Sequence, residues 1–270
     1  MNMAMDARVI VVTGAASGIG RVIALAAADA GMFVLVTDIA EKEGNEVVSA
    51  IQDKGGKARF VRTDVSDLAQ VKELFATVKR ELGRVDVLVN NAGVPGRFAP
   101  IVDMSDETWH RTISVHLNGT FYCLREAARL MRADGGGRII NIASIAGLVG
   151  TVGSAEYGAA KAGIINLTKT AAKELGRYNI TVNAIAPGMV ATPINAKLQR
   201  KGSAFITTAV EGTPTGRMTD PEEIAALILF LCSAGARNIN GQVICIDGGA
   251  ATTIGMDSYM LAYLSEKTTG

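Results

Sequence analysis

Cysteine and histidine are scarce in this chain. Its 270 residues hold three cysteines, Cys123, Cys232 and Cys245, and two histidines, His110 and His116. The cysteines are odd in number, far apart and set among apolar neighbours. That excludes a disulfide framework and predicts buried free thiols in a reducing compartment. No Cys/His cluster exists, so no metal site is expected. Long apolar runs are missing too. The longest, Ile224 to Cys232, falls well short of the roughly 18 residues a membrane span needs, and Met1 to Arg8 lacks the apolar segment of a signal peptide. Nor does one sign of charge dominate. Lys and Arg total 27 against 26 Asp and Glu, a net charge of +1. This argues against nucleic-acid binding through phosphate attraction and against a polybasic membrane anchor. The expected setting is cytoplasmic, where the sequons at Asn118, Asn166 and Asn179 meet no glycosylation machinery.

Apolar residues make up 49% of the chain and charged residues 20%, enough to build a core without disulfides, metals or a partner. Short β-branched runs alternate with longer helical patterns. Strands are expected at Arg8–Thr13, Phe33–Thr37, Ala58–Arg62, Val85–Asn90, Arg138–Ala143, Ile180–Ile185 and Gln242–Ile246. The first is almost continuously apolar, the mark of a strand covered on both faces. Helices are expected at Gly18–Ala30, Glu41–Lys54, Asp67–Leu82, a long one from about Asp106 to Met131, Ala155–Arg177 and Pro221–Ser233. Gly55-Gly56, Gly83 and Gly135-Gly136-Gly137 act as stops. Strand–helix alternation of this kind predicts an α/β fold, a doubly wound, seven-stranded parallel sheet in a single domain. Two stretches read as irregular, 94–103 and 187–220. A loop as long as the second is usually functional, so it is read as a substrate lid.

Two constellations carry chemistry. Thr13-Gly14-Ala15-Ala16-Ser17-Gly18-Ile19-Gly20 sits where the first strand gives way to the first helix. Glycines there permit a tight turn and close approach of a pyrophosphate, and the helix N-terminus offers free N–H groups and partial positive charge. Tyr157 and Lys161 lie four residues apart in a helical pattern and share one face. A phenol with pKa near 10 is a poor base at neutral pH; a neighbouring ammonium stabilises the phenolate and brings it toward the working range. Ser144 stands just past the fifth strand, at the sheet edge where ligands of open α/β folds bind.

The Gly-x-x-x-Gly-x-Gly spacing, with Ser144 and Tyr157-x-x-x-Lys161 behind it, strongly resembles the short-chain dehydrogenase/reductase family in its compact branch of about 250 residues. The resemblance runs from Val9 to Gly249 and leaves an extension over 250–270. It implies a Rossmann-like fold and a nicotinamide cofactor held by Gly14, Ser17, Gly18, Ile19 and Gly20. Asp38, 24 residues after Gly14, would accept hydrogen bonds from the adenine ribose hydroxyls and repel a 2′-phosphate. With Ile39 and Ser17 where NADP-users generally carry a basic residue, the cofactor expected is NAD. By the same resemblance Asp64 and Val65 contact the adenine, Asn91, Ala92 and Gly93 belong to the Asn-Asn-Ala-Gly turn, and Pro187, Gly188, Val190 and Thr192 cover the nicotinamide carboxamide. Tyr157 is the general acid/base, Lys161 lowers its pKa and holds the nicotinamide ribose, and Ser144 stabilises charge on the substrate oxygen.

One position departs from the family pattern. The usual Asn of the Val-Asn-Leu-x-Gly segment is His116 here, and Asn118 lies about 200° further round a helix. An imidazole can also relay protons, so His116 is either a fourth catalytic member or a structural variant. The substrate expected is a small or medium, fairly apolar secondary alcohol or ketone. Reduction of a 3-oxoacyl thioester is the alternative, and a cofactor-binding sensor or scaffold without turnover is the alternative outside enzymes. The resemblance further implies a homotetramer or homodimer built on the two long central helices. Tyr259, Met260, Leu261, Tyr263 and Leu264 in the extension form an apolar cluster that could cap the pocket or a neighbouring subunit.

Overall fold

Seven strands form one parallel sheet: β1 (Val9–Thr13), β2 (Phe33–Asp38), β3 (Lys57–Arg62), β4 (Val87–Asn90), β5 (Gly137–Ile142), β6 (Ile180–Pro187) and β7 (Val243–Ile246). Their order is β3-β2-β1-β4-β5-β6-β7. The chain winds outward from β1 to β3, then returns to β4 and winds the other way. A crevice therefore opens between the carboxyl ends of β1 and β4, the place where such sheets bind ligands. The computed structural model describes residues 8–193, 195 and 203–252, with backbone alone at 204 and 205. The apolar cluster of the extension, Tyr259 to Leu264, lies outside the described residues.

Central strands are apolar on both sides because helices cover both faces. On one face Ile10, Val12, Val34, Val36, Val87 and Val89 pack with Ile23, Ala27, Ile224 and Ile228. These come from α1 (Gly18–Asp29), next to α2 (Glu41–Gln52), and from the last helix, α8 (Pro221–Cys232). On the other face Val11, Leu35, Leu88, Ile139 and Val182 meet Val71, Leu74, Val78, Cys123, Ala127 and Met131. Those belong to α3 (Leu68–Leu82) and α5 (Gly119–Ala133), with α6 (Ala155–Leu175) completing the layer. Asp67 starts α3 by accepting from the backbone N–H groups of Ala69 and Gln70. Asp220 and Glu223 form a capping box ahead of Pro221 at the start of α8. These are helix signals that the sequence carries openly.

Three expectations are corrected. The long helix over 106–131 is not continuous: α4 (Asp106–Ile113) passes through a π-turn at Ser114–Asn118 before α5 begins. A wider turn shifts the register of every later side chain, and such turns gather at functional sites. The stretch 187–220 is not wholly irregular, because α7 (Ala204–Glu211) lies inside it and Val190 pairs with Thr219 across its base. Its Ala-Phe-Ile-Thr-Thr-Ala-Val-Glu sequence sets Phe205, Ile206, Ala209 and Val210 on one helical face against Thr207, Thr208 and Glu211, but eight residues are barely two turns, too short for the periodicity to stand out. Cys123 and Cys232 are buried, but Cys245 is exposed. It lies on β7, which among the described residues is paired on one side only, by β6.

Candidate active site

The glycine loop is braced from β4. Thr13 Oγ1 accepts from the backbone N–H groups of Asn91 and Ala92 at 2.9 and 3.0 Å. The Asn91 side-chain amide donates to the carbonyls of Thr13 and Gly14, both at 3.0 Å. Gly14 has φ +64°, and a Cβ there would come within 2.7 Å of Ala92 Cα. At Gly20 a Cβ would lie 2.1 Å from the Gly14 carbonyl oxygen. These two glycines serve the close packing of the loop on its own helix and on β4. Gly18, at φ +52°, is different: the nearest atom to a Cβ there is Thr192 Cγ2 at 3.9 Å. The hollow over Gly18 and the start of α1 is thus open, fits a dinucleotide pyrophosphate, and is flanked by Thr192 from the far side of the crevice. Ser17 is the residue before α1 and leaves its side chain unused in capping.

Asp38 ends β2 with both carboxylate oxygens directed at this loop and the next turn, accepting from Ala16 N and Ala40 N at 3.1 Å each. Asp64 shapes its own turn, Oδ1 accepting from the Ser66 backbone N–H at 2.9 Å and hydroxyl at 2.7 Å. Val65 is buried and packs where a Cβ on Gly119 would lie 2.7 Å from its Cγ2. Pro187 closes β6. Gly188 passes Asp247 so closely that a Cβ would meet Asp247 Cβ at 2.9 Å. Val190 is buried, and its carbonyl accepts from the Asn195 side chain at 2.9 Å.

The reacting groups gather at the carboxyl end of β5. Ser144 precedes a 3-10 turn, Ile145–Gly147, and its Oγ accepts from Ala146 N at 3.2 Å. Gly147 lies so flat on α6 that a Cβ would reach the Lys161 carbonyl carbon at 2.6 Å. That contact sets Ser144 against the first turns of α6, beside Tyr157. Lys161 is buried, and its Nζ donates to the Ile142 carbonyl at 2.7 Å and stands 5.4 Å from the Tyr157 ring centroid.

Burial acts on the Tyr–Lys pair against the direction expected from the ammonium alone. Burial pushes the Tyr157 phenol above its ordinary value, and the Ser144 hydrogen bond opposes this only in part. Burial also pulls the Lys161 ammonium down to about 7. Desolvation penalises the charged form of each, so burial favours the neutral phenol and brings the amine near neutrality.

His116 lies in the π-turn, buried, with its ring edge-on to Tyr157 at 5.3 Å between centroids. Its Nε2 meets the backbone of Val94, 3.1 Å from the N–H and 2.9 Å from the carbonyl oxygen. Nδ1 is buried with no hydrogen-bond partner among the described residues. Burial, then the nearby Lys161 charge, lowers its pKa to about 3, so the ring is neutral at working pH. Gly93 must be glycine here, because a Cβ would strike His116 Cε1 at 2.4 Å.

All the candidate catalytic side chains therefore meet at one edge of the sheet, beside a hollow fitted to a dinucleotide. A profile of the family described as enoyl-(acyl carrier protein) reductase matches residues 14–251. A 3-oxoacyl-acyl-carrier-protein reductase of Thermotoga maritima is 41% identical over 247 residues, covering 92% of this chain and 99% of that protein. A cis-4-hydroxycyclohexanecarboxylate dehydrogenase of Sinomonas cyclohexanicum is 42% identical over 249 residues, covering 92% and 98%. The chain belongs to the short-chain dehydrogenase/reductase family. Among solved structures, a short-chain dehydrogenase/reductase from Mycobacterium ulcerans superposes with TM-score 0.87 at 32% identity, covering 92% of this chain and 90% of that one. Levodione reductase superposes at 0.86 with 32% identity, covering 92% and 98%. As a short-chain dehydrogenase/reductase, this protein is an oxidoreductase that interconverts CH–OH and keto groups of small molecules with a nicotinamide dinucleotide. The sequence showed Thr13 only as the start of the glycine loop, not as its brace from β4, and gave no sign of Gly147, whose contact with Lys161 is distant in sequence.

Proposed function

We propose that this enzyme is an NAD-dependent dehydrogenase of apolar secondary alcohols, acting reversibly on the matching ketones. The observation that carries the cofactor choice is Asp38, a carboxylate held at the tip of β2 by Ala16 N and Ala40 N. Its oxygens can accept from ribose hydroxyls, and their charge opposes a 2′-phosphate. Gly14, Ser17, Gly18, Ile19, Gly20, Asp64, Val65, Asn91, Ala92, Gly93, Pro187, Gly188, Val190 and Thr192 would line the dinucleotide. When bound, nicotinamide supplies the carbon that accepts the hydride from the alcohol.

Tyr157 takes the hydroxyl proton in oxidation and returns it in reduction. Ser144 donates a hydrogen bond to the substrate oxygen and stabilises its developing charge. A Lys161 ammonium offsets the burial cost of the phenolate, and the positive nicotinamide ring adds to that field. His116 is neutral, so any part in proton relay falls to Nδ1, the ring nitrogen that Val94 leaves free.

The segments that follow β4 and β5 expose apolar side chains, Phe98 in the first and Leu148, Val149 and Val152 in the second. This favours a hydrophobic substrate held under a lid over 187–220. The lid's lysines and arginine at 197, 200 and 201 lie outside the described residues. Activity should appear with NAD and unbranched or cyclic secondary alcohols. Turnover of acetoacetyl thioesters with NADPH in preference would establish the 3-oxoacyl-thioester reductase reading instead, which the T. maritima relative's name supports. A homodimer or homotetramer would form through α5 and α6, where a groove lined by Phe121, Leu124, Ala128, Leu167 and Ala171 is open.

A further inference from the structure

Immediately before Tyr157, at the second residue of α6, stands a carboxylate that the reaction does not use. Glu156 is 0% exposed. One oxygen, Oε1, accepts from the backbone N–H of Arg97 at 3.3 Å. The other, Oε2, is buried with no hydrogen-bond partner among the described residues. Carboxylates are almost never fully buried without a partner that rewards it. The first turn of a helix eases the cost, since N-terminal N–H groups favour negative charge.

The partner is a loop. Between β4 and α4, residues 94–100 cross the front of the catalytic helix, held at three points. Val94 is tied to His116 Nε2, Arg97 N to Glu156 Oε1, and Ala99 N to the Gly153 carbonyl at 3.0 Å. Gly96 allows the middle contact. A Cβ at Gly96 would lie 3.1 Å from Glu156 Oε1 and 3.8 Å from Tyr157 Cβ, so the loop lies directly on the tyrosine's own stem. The exposed Phe98 that borders the crevice follows in the same loop.

We propose that Glu156 is a positioning residue that clamps the 94–100 loop onto the start of α6 and so fixes the substrate-facing wall beside Tyr157. It touches neither substrate nor cofactor. Its effect is carried by the Arg97 amide, and through that amide by the loop. The kinetic consequence rests on the dehydrogenase reading above; the clamp itself does not.

The test is amide hydrogen exchange across 94–99 in Glu156→Ala, Glu156→Gln and Gly96→Ala, with NAD affinity by calorimetry and, in parallel, steady-state oxidation of cyclohexanol. Loss of one charge-assisted bond to a loop amide should speed local exchange about tenfold. Glu156→Ala should show this with NAD affinity unchanged and KM for cyclohexanol raised more than kcat is lowered. Glu156→Gln keeps a carbonyl acceptor and should restore protection and KM. Gly96→Ala, which leaves the carboxylate in place but crowds it, should reproduce the loose loop and serves if the alanine variant fails to fold. Native-rate exchange in Glu156→Ala, or in Gly96→Ala where the former does not fold, would overturn the clamp, as would Glu156→Gln exchanging as fast as Glu156→Ala. Absence of cyclohexanol turnover in the native enzyme bears on the dehydrogenase reading alone, because the exchange measurement needs no substrate.

Discussion

At the scale of single residues, the site is governed by what burial does to charge. Tyr157 and Lys161 are both shifted toward their neutral forms, so burial opposes the charged pair that the proposed proton transfer needs. Tyr157→Phe removes the one group placed to exchange the substrate proton. Turnover should fall at least about a thousandfold while NAD affinity stays near native; a protein that kept its full biological function after this change would be a sensor rather than an enzyme. Asp38→Ala should weaken NAD binding about tenfold, the worth of a charge-assisted hydrogen bond, and narrow the preference against NADP. Unchanged selectivity in paired titrations would remove Asp38 from the ribose site. His116→Ala should lower turnover with little change in NAD affinity. Because its pKa is held near 3, the native pH–rate profile should show no step near the ordinary histidine value that this variant abolishes; equal turnover in the two proteins would leave His116 a structural role only.

At the scale of elements, the break between α4 and α5 has a local cause and a distant effect. The π-turn at Ser114–Asn118 carries His116 toward Val94 and Tyr157. Gly119 then lets α5 start against the turn after β3, where a Cβ would be 2.7 Å from Val65. Gly119→Ala should therefore cost about 1–3 kcal/mol by overpacking. It should also perturb NAD binding through Val65, measured by chemical denaturation and calorimetry on the same sample. Full native stability would mean that the turn yields more easily than its packing suggests.

Across the whole molecule, buried titrating groups fix how stability depends on pH. His116 is lowered from 6.5 to about 3, so the unfolded chain binds more protons in between, and this contribution is lost as pH falls through that window. Lys161 is lowered from 10.5 to about 7, so stability rises with pH across its window by the same sign. Cys123 and Cys232 act oppositely. Their thiols are raised from 9.0 to about 12, so the native state holds more protons there and stability falls as pH rises. The melting temperature should climb from pH 4 to about 9 and then decline. Lys161→Met should flatten the segment above about pH 7, and a rise undiminished in that variant would reassign it to other groups.

Much of this protein was legible in its residues. Continuous apolar runs such as Arg8–Thr13 announce strands buried on both faces, Gly83 announces a helix end, and the glycine loop and the Tyr157–Lys161 spacing announce chemistry. These are local signals, because capping, periodicity and close backbone approach act within a few residues. Only the folded chain decided the rest. The π-turn depends on what the helix passes, and the exposure of Cys245 on β7 being paired, among the described residues, by β6 alone. The protonation of Tyr157 and Lys161 depends on how deeply other segments bury them. Glu156, one residue from the tyrosine, could be understood only once Arg97 and Gly96 had been brought to it by a sheet that joins distant parts of the chain.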